Sequence, residues 1–224
     1  FIPAEGCVLV DADYSQIELR LLAHMAGDEA MIAAFRSGGD FHAETAAKVF
    51  HVAPDQVTHE MRRQAKAVNF GIVYGISAFS LSQDIGVSVA EAKAYMEAYF
   101  ATFPGVRTYM DAIVERAREQ GYVETLFHRP RDLPELKSSN FNLRSFGERV
   151  ALNMPIQGTA ADIMKLAMVA VRKRLRQELP EARLVLQVHD ELIVECPEEE
   201  QGRVCALVEE EMEGVAALSV PLLA

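Results

Sequence analysis

Apolar and polar positions alternate over residues 7–13, shift to a spacing of three and four residues that persists to about residue 120, and alternate again near 122–127 and 184–195. The first stretch, Cys-Val-Leu-Val-Asp-Ala-Asp, predicts a strand with Asp11 and Asp13 on one face and Val8, Val10 and Ala12 on the other. Ile17, Leu21, His24 and Met25 then share one helical side, which stops near Gly27. Between 28 and 120 almost no strand signal occurs. Thr58 is a fitting N-cap for a helix through Arg62, and Gly75 is placed to end it. Ser88-x-x-Glu91 is a capping box, Phe103-Pro104-Gly105 closes the helix it opens, and another helix from about Val106 ends at Gly121.

Residues 122–127 predict a strand, and 128–140, with two prolines and an Asn, Ser and Lys cluster, predict a loop. Helical character returns over 143–153. Pro155 makes its continuation uncertain, and Thr159-x-x-Asp162 predicts a fresh cap for a helix through Leu175 that ends at Leu179-Pro180. The apolar runs 184–188 and 192–195 are close enough that only a tight hairpin joins them, with His189-Asp190-Glu191 at its tip. Charged residues where turn chemistry favours Asn-Gly suggest a functional tip. A helix over about 198–213 follows, and the final Ser-Val-Pro-Leu-Leu-Ala predicts a strand. The pattern as a whole is α/β, of the α+β kind: strands from both chain ends around a helical insertion.

With 224 residues, half of them hydrophobic, the chain has ample material for a core. Its apolar runs are too short to span a membrane and no signal segment opens it, so a soluble, cytoplasmic protein is expected. Cys7, Cys196 and Cys205 include no C-x-x-C pair, which predicts reduced, structural thiols. The six histidines form no zinc motif. A formal charge of −11 opposes binding to a polyanion. The acids crowd the C-terminal part, however, while 62–66, 116–118, 129–131 and 172–176 are locally basic, and binding follows local potential.

Asp13 and Asp190 each stand at the end of an apolar strand. Were those strands neighbours, the two carboxylates would converge and could share divalent cations about 4 Å apart, as phosphoryl transfer requires. Taken singly, each has a plainer reading, Asp13 as a helix cap and Asp190 as a solvated turn residue. Arg62, Lys66, Phe70 and Tyr74 recur every fourth position and form one stripe, each offset from the last by about 40°. Two cations followed by two aromatics suit a triphosphate with its base stacked at the far end; a solvated helix start with a buried aromatic end is equally consistent with the spacing. Gly71, inside that helix, implies close approach to its backbone. Arg149, Asn153 and Gln157, also four apart, could donate to minor-groove acceptors common to all base pairs.

These segments occur together and in order. Asp13-Tyr-Ser-Gln-Ile-Glu-Leu-Arg20, Arg62-x-x-x-Lys66-x-x-x-Phe70-Gly-x-x-Tyr74-Gly75 and Val188-His-Asp-Glu191 resemble motifs A, B and C of family A DNA polymerases, the bacterial DNA polymerase I-like branch most closely, and Asn153-Met-Pro-Ile-Gln-Gly-Thr-Ala-Ala-Asp162 extends the likeness. The resemblance implies a right-hand palm with an antiparallel sheet and inserted all-helical fingers, the palm over 1–27 and 122–224 and the fingers over 28–121, with the thumb absent. It implies a DNA-directed DNA polymerase, a nucleotidyltransferase of DNA replication and repair, acting as a monomer on primer-template DNA and dNTPs with Mg2+. It further implies that Asp13 and Asp190 hold the metal and Glu191 supports them. Glu18 would exclude a ribose 2′-hydroxyl. Arg62, Lys66 and His42 would contact the triphosphate, with Lys66 also a candidate proton donor to pyrophosphate. Phe70 would pack on the nucleotide and Tyr74 near the template base. Arg149, Asn153, Gln157 and His189 would contact primer and template. Phe at position 70, where Tyr is the alternative, is the variant associated with discrimination against dideoxynucleotides.

Departures from the pattern are local. Leu126-Phe-His-Arg-Pro-Arg-Asp-Leu-Pro134 replaces a usual Phe-Gly-Arg-Arg-Arg, the terminal strand with its tryptophan is missing, and Asp11 adds an acid beside Asp13. Three rival readings follow from the same residues. A phage-type RNA polymerase shares the motif plan, but Glu18, Phe70 and Glu191 favour deoxynucleotides. A carboxylate-dependent nuclease would not need the stripe from Arg62 to Tyr74. A binding module without catalysis fits a chain that lacks the thumb.

Overall fold

The computed structural model describes residues 1–224. In chain order the elements are β1 (Cys7–Asp13), α1 (Ile17–Ala26), α2 (Glu29–Arg36), α3 (Phe41–Val49), α4 (His59–Val73), α5 (Ala78–Ile85), α6 (Val89–Thr102), α7 (Pro104–Gln120), β2 (Tyr122–Glu124), β3 (Pro130–Asp132), α8 (Phe141–Glu178), β4 (Arg183–Val188), β5 (Glu191–Pro197) and α9 (Gln201–Gly214). They form two compact units, one of residues 1–17 and 159–224, the other of 18–158. The chain passes between them inside α1 and α8. No helix is long and apolar enough to cross a membrane.

In the first unit an antiparallel sheet has the order β1-β5-β4, so strands from opposite chain ends are hydrogen-bonded neighbours. Val10, Leu192, Val194 and Cys196 are buried, as are Val204, Leu207, Val208 and Met212 of α9, which packs on β1 and β5. Burying such side chains is worth roughly 1.5–3 kcal/mol each. That burial fixes the register, because a slip of one residue would turn the apolar row of a strand outward.

The second unit is helical but for the short β2–β3 pair. Phe41 stacks on Phe35 at 4.5 Å and on Phe103 at 5.8 Å between ring centroids. Val123, Leu133, Leu136, Ala117 and Ala151 bury the base of the β2–β3 pair. Asp28 ties two helices together: it caps α2 by accepting from the Met31 N–H at 2.9 Å and accepts from the Gly105 N–H at the start of α7 at 2.8 Å. A side chain at position 105 would strike Asp28, so glycine is required there. Replacing Asp28 by Ala should cost about 2 kcal/mol in urea unfolding, because it removes a cap and orphans the partly buried Gly105 N–H. A loss below about 0.5 kcal/mol would show that water takes over both bonds.

The expected caps are present. Thr58 accepts from Met61 N–H, Ser88 and Glu91 form the reciprocal capping box, and Gly121 ends α7 in the left-handed conformation. Gly75, at φ 67°, ends α4, whose last turn closes through Gly75 N–H to Ile72 C=O and Ile76 N–H to Gly71 C=O. The approach expected at Gly71 comes from within: a Cβ there would lie 2.7 Å from Ile76 Cγ2.

Three expectations fail. The strand over 122–127 stops at Glu124, and residues 130–132, expected in a loop, pair with it as β3. Three residues are too few for alternation to register. The helix does not restart at Thr159, since α8 runs unbroken through Pro155. Thr159 is fully buried in its interior, and flanking Ala151, Ile156, Ile163, Ala167 and Val171 are buried too, so packing outweighs the one backbone bond that proline removes. Residues 219–224 form no strand; Val220 and Leu222 are buried and Leu223 C=O accepts from Ser15 N–H at 2.8 Å.

Candidate active site

Asp13 lies directly opposite Glu191 in the β1–β5 ladder, and Tyr14 N–H donates to Asp190 C=O at 3.1 Å, which carries the pairing one residue past the strand. Tyr14 is buried and its hydroxyl donates to Met212 C=O at 2.6 Å, which anchors this end of β1 to α9. Burial raises the pKa of that phenol. The hairpin turn is only His189-Asp190, between the paired residues Val188 and Glu191. His189 has φ 53°, the positive value that a two-residue turn demands and that a non-glycine residue adopts at some strain. Its carbonyl accepts from Gln187 Nε2, and its imidazole is exposed.

The carboxyl of Asp13 is held above the usual carboxylate range by partial burial, then by the charges of Asp190, Glu191 and Asp11 in that order. No cation is among the charges that shift it. No three His, Cys, Asp or Glu side chains converge on one point as a finished metal cage. A magnesium ion does not need one, since it keeps several waters and is held by one or two carboxylates with substrate phosphates completing the shell. Mutually repelling hard oxygen donors fit that ion.

In the helical unit the α4 stripe faces solvent. Ala65, Val68, Asn69, Ile72 and Val73 bury the opposite side, whereas Lys66 and Tyr74 are exposed and Arg62 and Phe70 are partly so. This is not the buried aromatic end that spacing alone allowed. Arg62 pairs with Asp40 at 2.5 Å, and Asp40 also caps α3 by accepting from the His42 and Ala43 N–H groups. Lys66 is in no ion pair, and its Nζ lies 6.0 Å from the Phe70 ring centroid. His42 is nearly buried, with its ring 5.8 Å from that of Phe70 and its Nδ1 2.9 Å from Asn69 Nδ2. Its pKa falls to about 4, chiefly through burial; Asp40 pulls it up and Arg62 and Lys66 push it down. Tyr74 Oη donates to Glu18 at 2.7 Å, so the end of α4 holds the gate candidate on α1.

Arg149, Asn153 and Gln157 lie along one stretch of α8. Arg149 lines a concavity of about 680 Å³ with Phe70, Tyr74, Gly75 and Leu152, while Asn153 and Gln157 line one of about 310 Å³ with Arg131. Asn153 Oδ1 is buried without a partner, and Arg149 donates to Ser145 at 3.1 Å. The basic segments differ in what they leave available. Arg118 is bound by Glu115 and Glu148, and Arg174 by Glu178, Glu210 and Glu211, so these cations are spent within the fold. Sequence reasoning missed Asp40 as the partner of Arg62, Asn69 as the partner of His42, and Arg131 beside Asn153. Only Asp40 left a legible trace, as an N-cap residue before Phe41-His42.

The family model for DNA polymerase family A matches residues 1–224. Among curated proteins, DNA polymerase I of Geobacillus stearothermophilus is 58% identical over 223 residues, 99% of this chain and 26% of that protein. DNA polymerase I of Bacillus subtilis is 56% identical over 99% of this chain and 25% of its own length. A solved structure described as the POL domain of Pol1 from M. smegmatis, in complex with DNA primer-template and dNTP, superposes with a TM-score of 0.94. It is 48% identical and the match covers 99% of this chain and 39% of that one. The chain thus spans about a quarter of the length of the curated relatives it matches.

Proposed function

The chain belongs to DNA polymerase family A, and from that premise we propose that it carries the metal-binding and nucleotide-binding parts of a DNA-directed DNA polymerase that extends a primer on a template, with dNTPs as substrates, in the cytoplasm and as a monomer. The observation that carries this reading is the placing of Asp13 opposite Glu191, with Asp190 bonded through its carbonyl to Tyr14. Acids from the two ends of the chain are gathered by one sheet register. In this reading the sheet of β1, β4 and β5 is the palm surface, and α2 to α7 are the fingers.

Asp13 and Asp190 would hold Mg2+, with Glu191 supporting the cluster. When bound, the ions would lower the pKa of the primer 3′-hydroxyl and offset the charge of the leaving pyrophosphate. Lys66 and Arg62 bind the phosphates, and Lys66 can also supply a proton to the pyrophosphate oxygen. Arg62 must first leave Asp40. That exchange is cheap, because a pair with both side chains about two-fifths exposed is worth roughly 0–1 kcal/mol. Phe70 packs against the nucleotide and Tyr74 near the template base, while Arg149, Asn153, Gln157 and His189 contact primer and template.

Glu18, held by the Tyr74 hydroxyl, is assigned to the ribose. Shortening it to Ala opens space for a 2′-hydroxyl, so selectivity for dNTP over rNTP should fall by about 100-fold, and Tyr74→Phe, which frees Glu18 without removing it, should cause a smaller fall. The assay uses a chimera in which these 224 residues replace the matching segment of the Geobacillus polymerase. Unchanged selectivity in Glu18→Ala would refute the assignment. Failure of the unmutated chimera to extend a primer with Mg2+ would refute the function itself.

A further inference from the structure

We propose that Asn69 is a positioning residue for His42: by donating to Nδ1 it keeps the imidazole proton on Nε2, so that the ring meets a nucleoside triphosphate as a neutral hydrogen-bond donor. This deepens the nucleotide reading and rests on it.

The proton positions follow from a backbone carbonyl outward. Thr45 Oγ1 lies 2.9 Å from Phe41 C=O, an acceptor only, so the threonine hydroxyl must spend its proton there. Its lone pairs are left to accept, and Asn69 Nδ2 lies 3.4 Å away. The same amide nitrogen lies 2.9 Å from His42 Nδ1. An NH2 group that gives one proton to Thr45 gives its other to Nδ1, which must then be the unprotonated nitrogen. The remaining proton belongs on Nε2. Asn69 and Thr45 are fully buried and His42 is 3% exposed, so water does not compete for these bonds.

The surroundings make the choice of tautomer matter. Phe41 and Phe70 flank the ring, and the charged groups that act on it are Asp40, Arg62 and Lys66. Their balance, with burial, leaves His42 neutral at pH 7, its pKa being about 4. A neutral imidazole protonated on Nδ1 would turn a bare lone pair toward phosphate oxygens, which repel it. One protonated on Nε2 offers a donor without adding a third cation beside Arg62 and Lys66. Asparagine suits this task where aspartate would not, because a carboxylate would draw the proton onto Nδ1. The amide oxygen of Asn69 is buried without a partner, as expected where the two N–H bonds dictate its orientation. Turned over, the amide would require the opposite tautomer.

The test is a two-bond 1H–15N correlation spectrum of the 224-residue chain with 15N-labelled histidine, recorded from pH 7 to 5. His42 should give the Nε2–H pattern throughout, and dATP with Mg2+ should shift its Nε2 resonance. The Nδ1–H pattern, or a doubly protonated ring at pH 7, overturns the proposal and leaves the nucleotide reading to be judged through Lys66. An Nε2–H ring whose resonance ignores dATP overturns the nucleotide reading and the proposal with it. In the chimera, Asn69→Asp should move the proton to Nδ1 and raise the KM for dNTP roughly 10-fold, with a smaller change in kcat. A folded Asn69→Asp variant with unchanged tautomer and KM would also overturn it.

Discussion

Asp13→Asn should reduce primer extension by the chimera at least about 1,000-fold, equivalent to about 4 kcal/mol of barrier, while duplex binding in a filter or anisotropy assay stays within a few-fold of the parent. Asp190→Asn should behave alike. Asp13→Asn should also raise the thermal midpoint of the 224-residue chain in metal-free buffer. Burial and the charges of Asp190, Glu191 and Asp11 raise the folded-state pKa of Asp13, so at neutral pH its ionised form opposes folding. For a carboxyl with a raised folded pKa the penalty is fully present above that pKa and fades as pH falls toward the ordinary carboxylate range. The advantage of Asn over Asp should fade with it. Adding Mg2+ should stabilise the parent and leave Asp13→Asn nearly unmoved, because the ion binds the folded parent alone. A variant that loses stability in metal-free buffer, or keeps its extension rate, would refute the assignment.

Removing the Lys66 ammonium should cost about 100- to 1,000-fold in kcat/KM for dNTP, the range typical for loss of one preorganised charge at a developing anion. Lys66 stands apart from its neighbours on α4 because Arg62 is held by Asp40 and Arg63 by Glu60, whereas its own ammonium is exposed and unpaired. Nothing must be broken before it meets a phosphate. Lys66→Arg should recover much of the binding, since the charge is kept, but less of kcat, since guanidinium does not release a proton at working pH. Single-turnover kinetics separate the two. A loss below about 10-fold for Lys66→Ala would move the triphosphate off this stripe.

Much of this molecule is legible before any coordinates. The caps at Thr58 and Ser88, the closing glycines at 75 and 121, and the end strands are local events, governed by neighbours within four residues, so the sequence states them directly. The stripe of Arg62, Lys66, Phe70 and Tyr74 is legible for the same reason, although its exposure is not. Where distant residues decide, local signals mislead. Thr159 has the form of a cap, but burial of both its flanks carries α8 through Pro155, and β3, itself exposed, pairs with β2 beside a core that buries Val123 and Leu133.

Capping, periodicity and side-chain chemistry are properties of short segments, so most of the helices, the strands β1, β4 and β5, and the residue types available for phosphate chemistry could be read from the chain alone. Tertiary structure alone decided that Asp13 stands against Glu191, that Arg174 is consumed by three glutamates while Lys66 stays free, and that His42 meets Asn69. Apart from Glu178, one helical turn from Arg174, the partners in those pairings lie far apart along the chain, and only the burial of a shared core fixes which of them come within reach of one another.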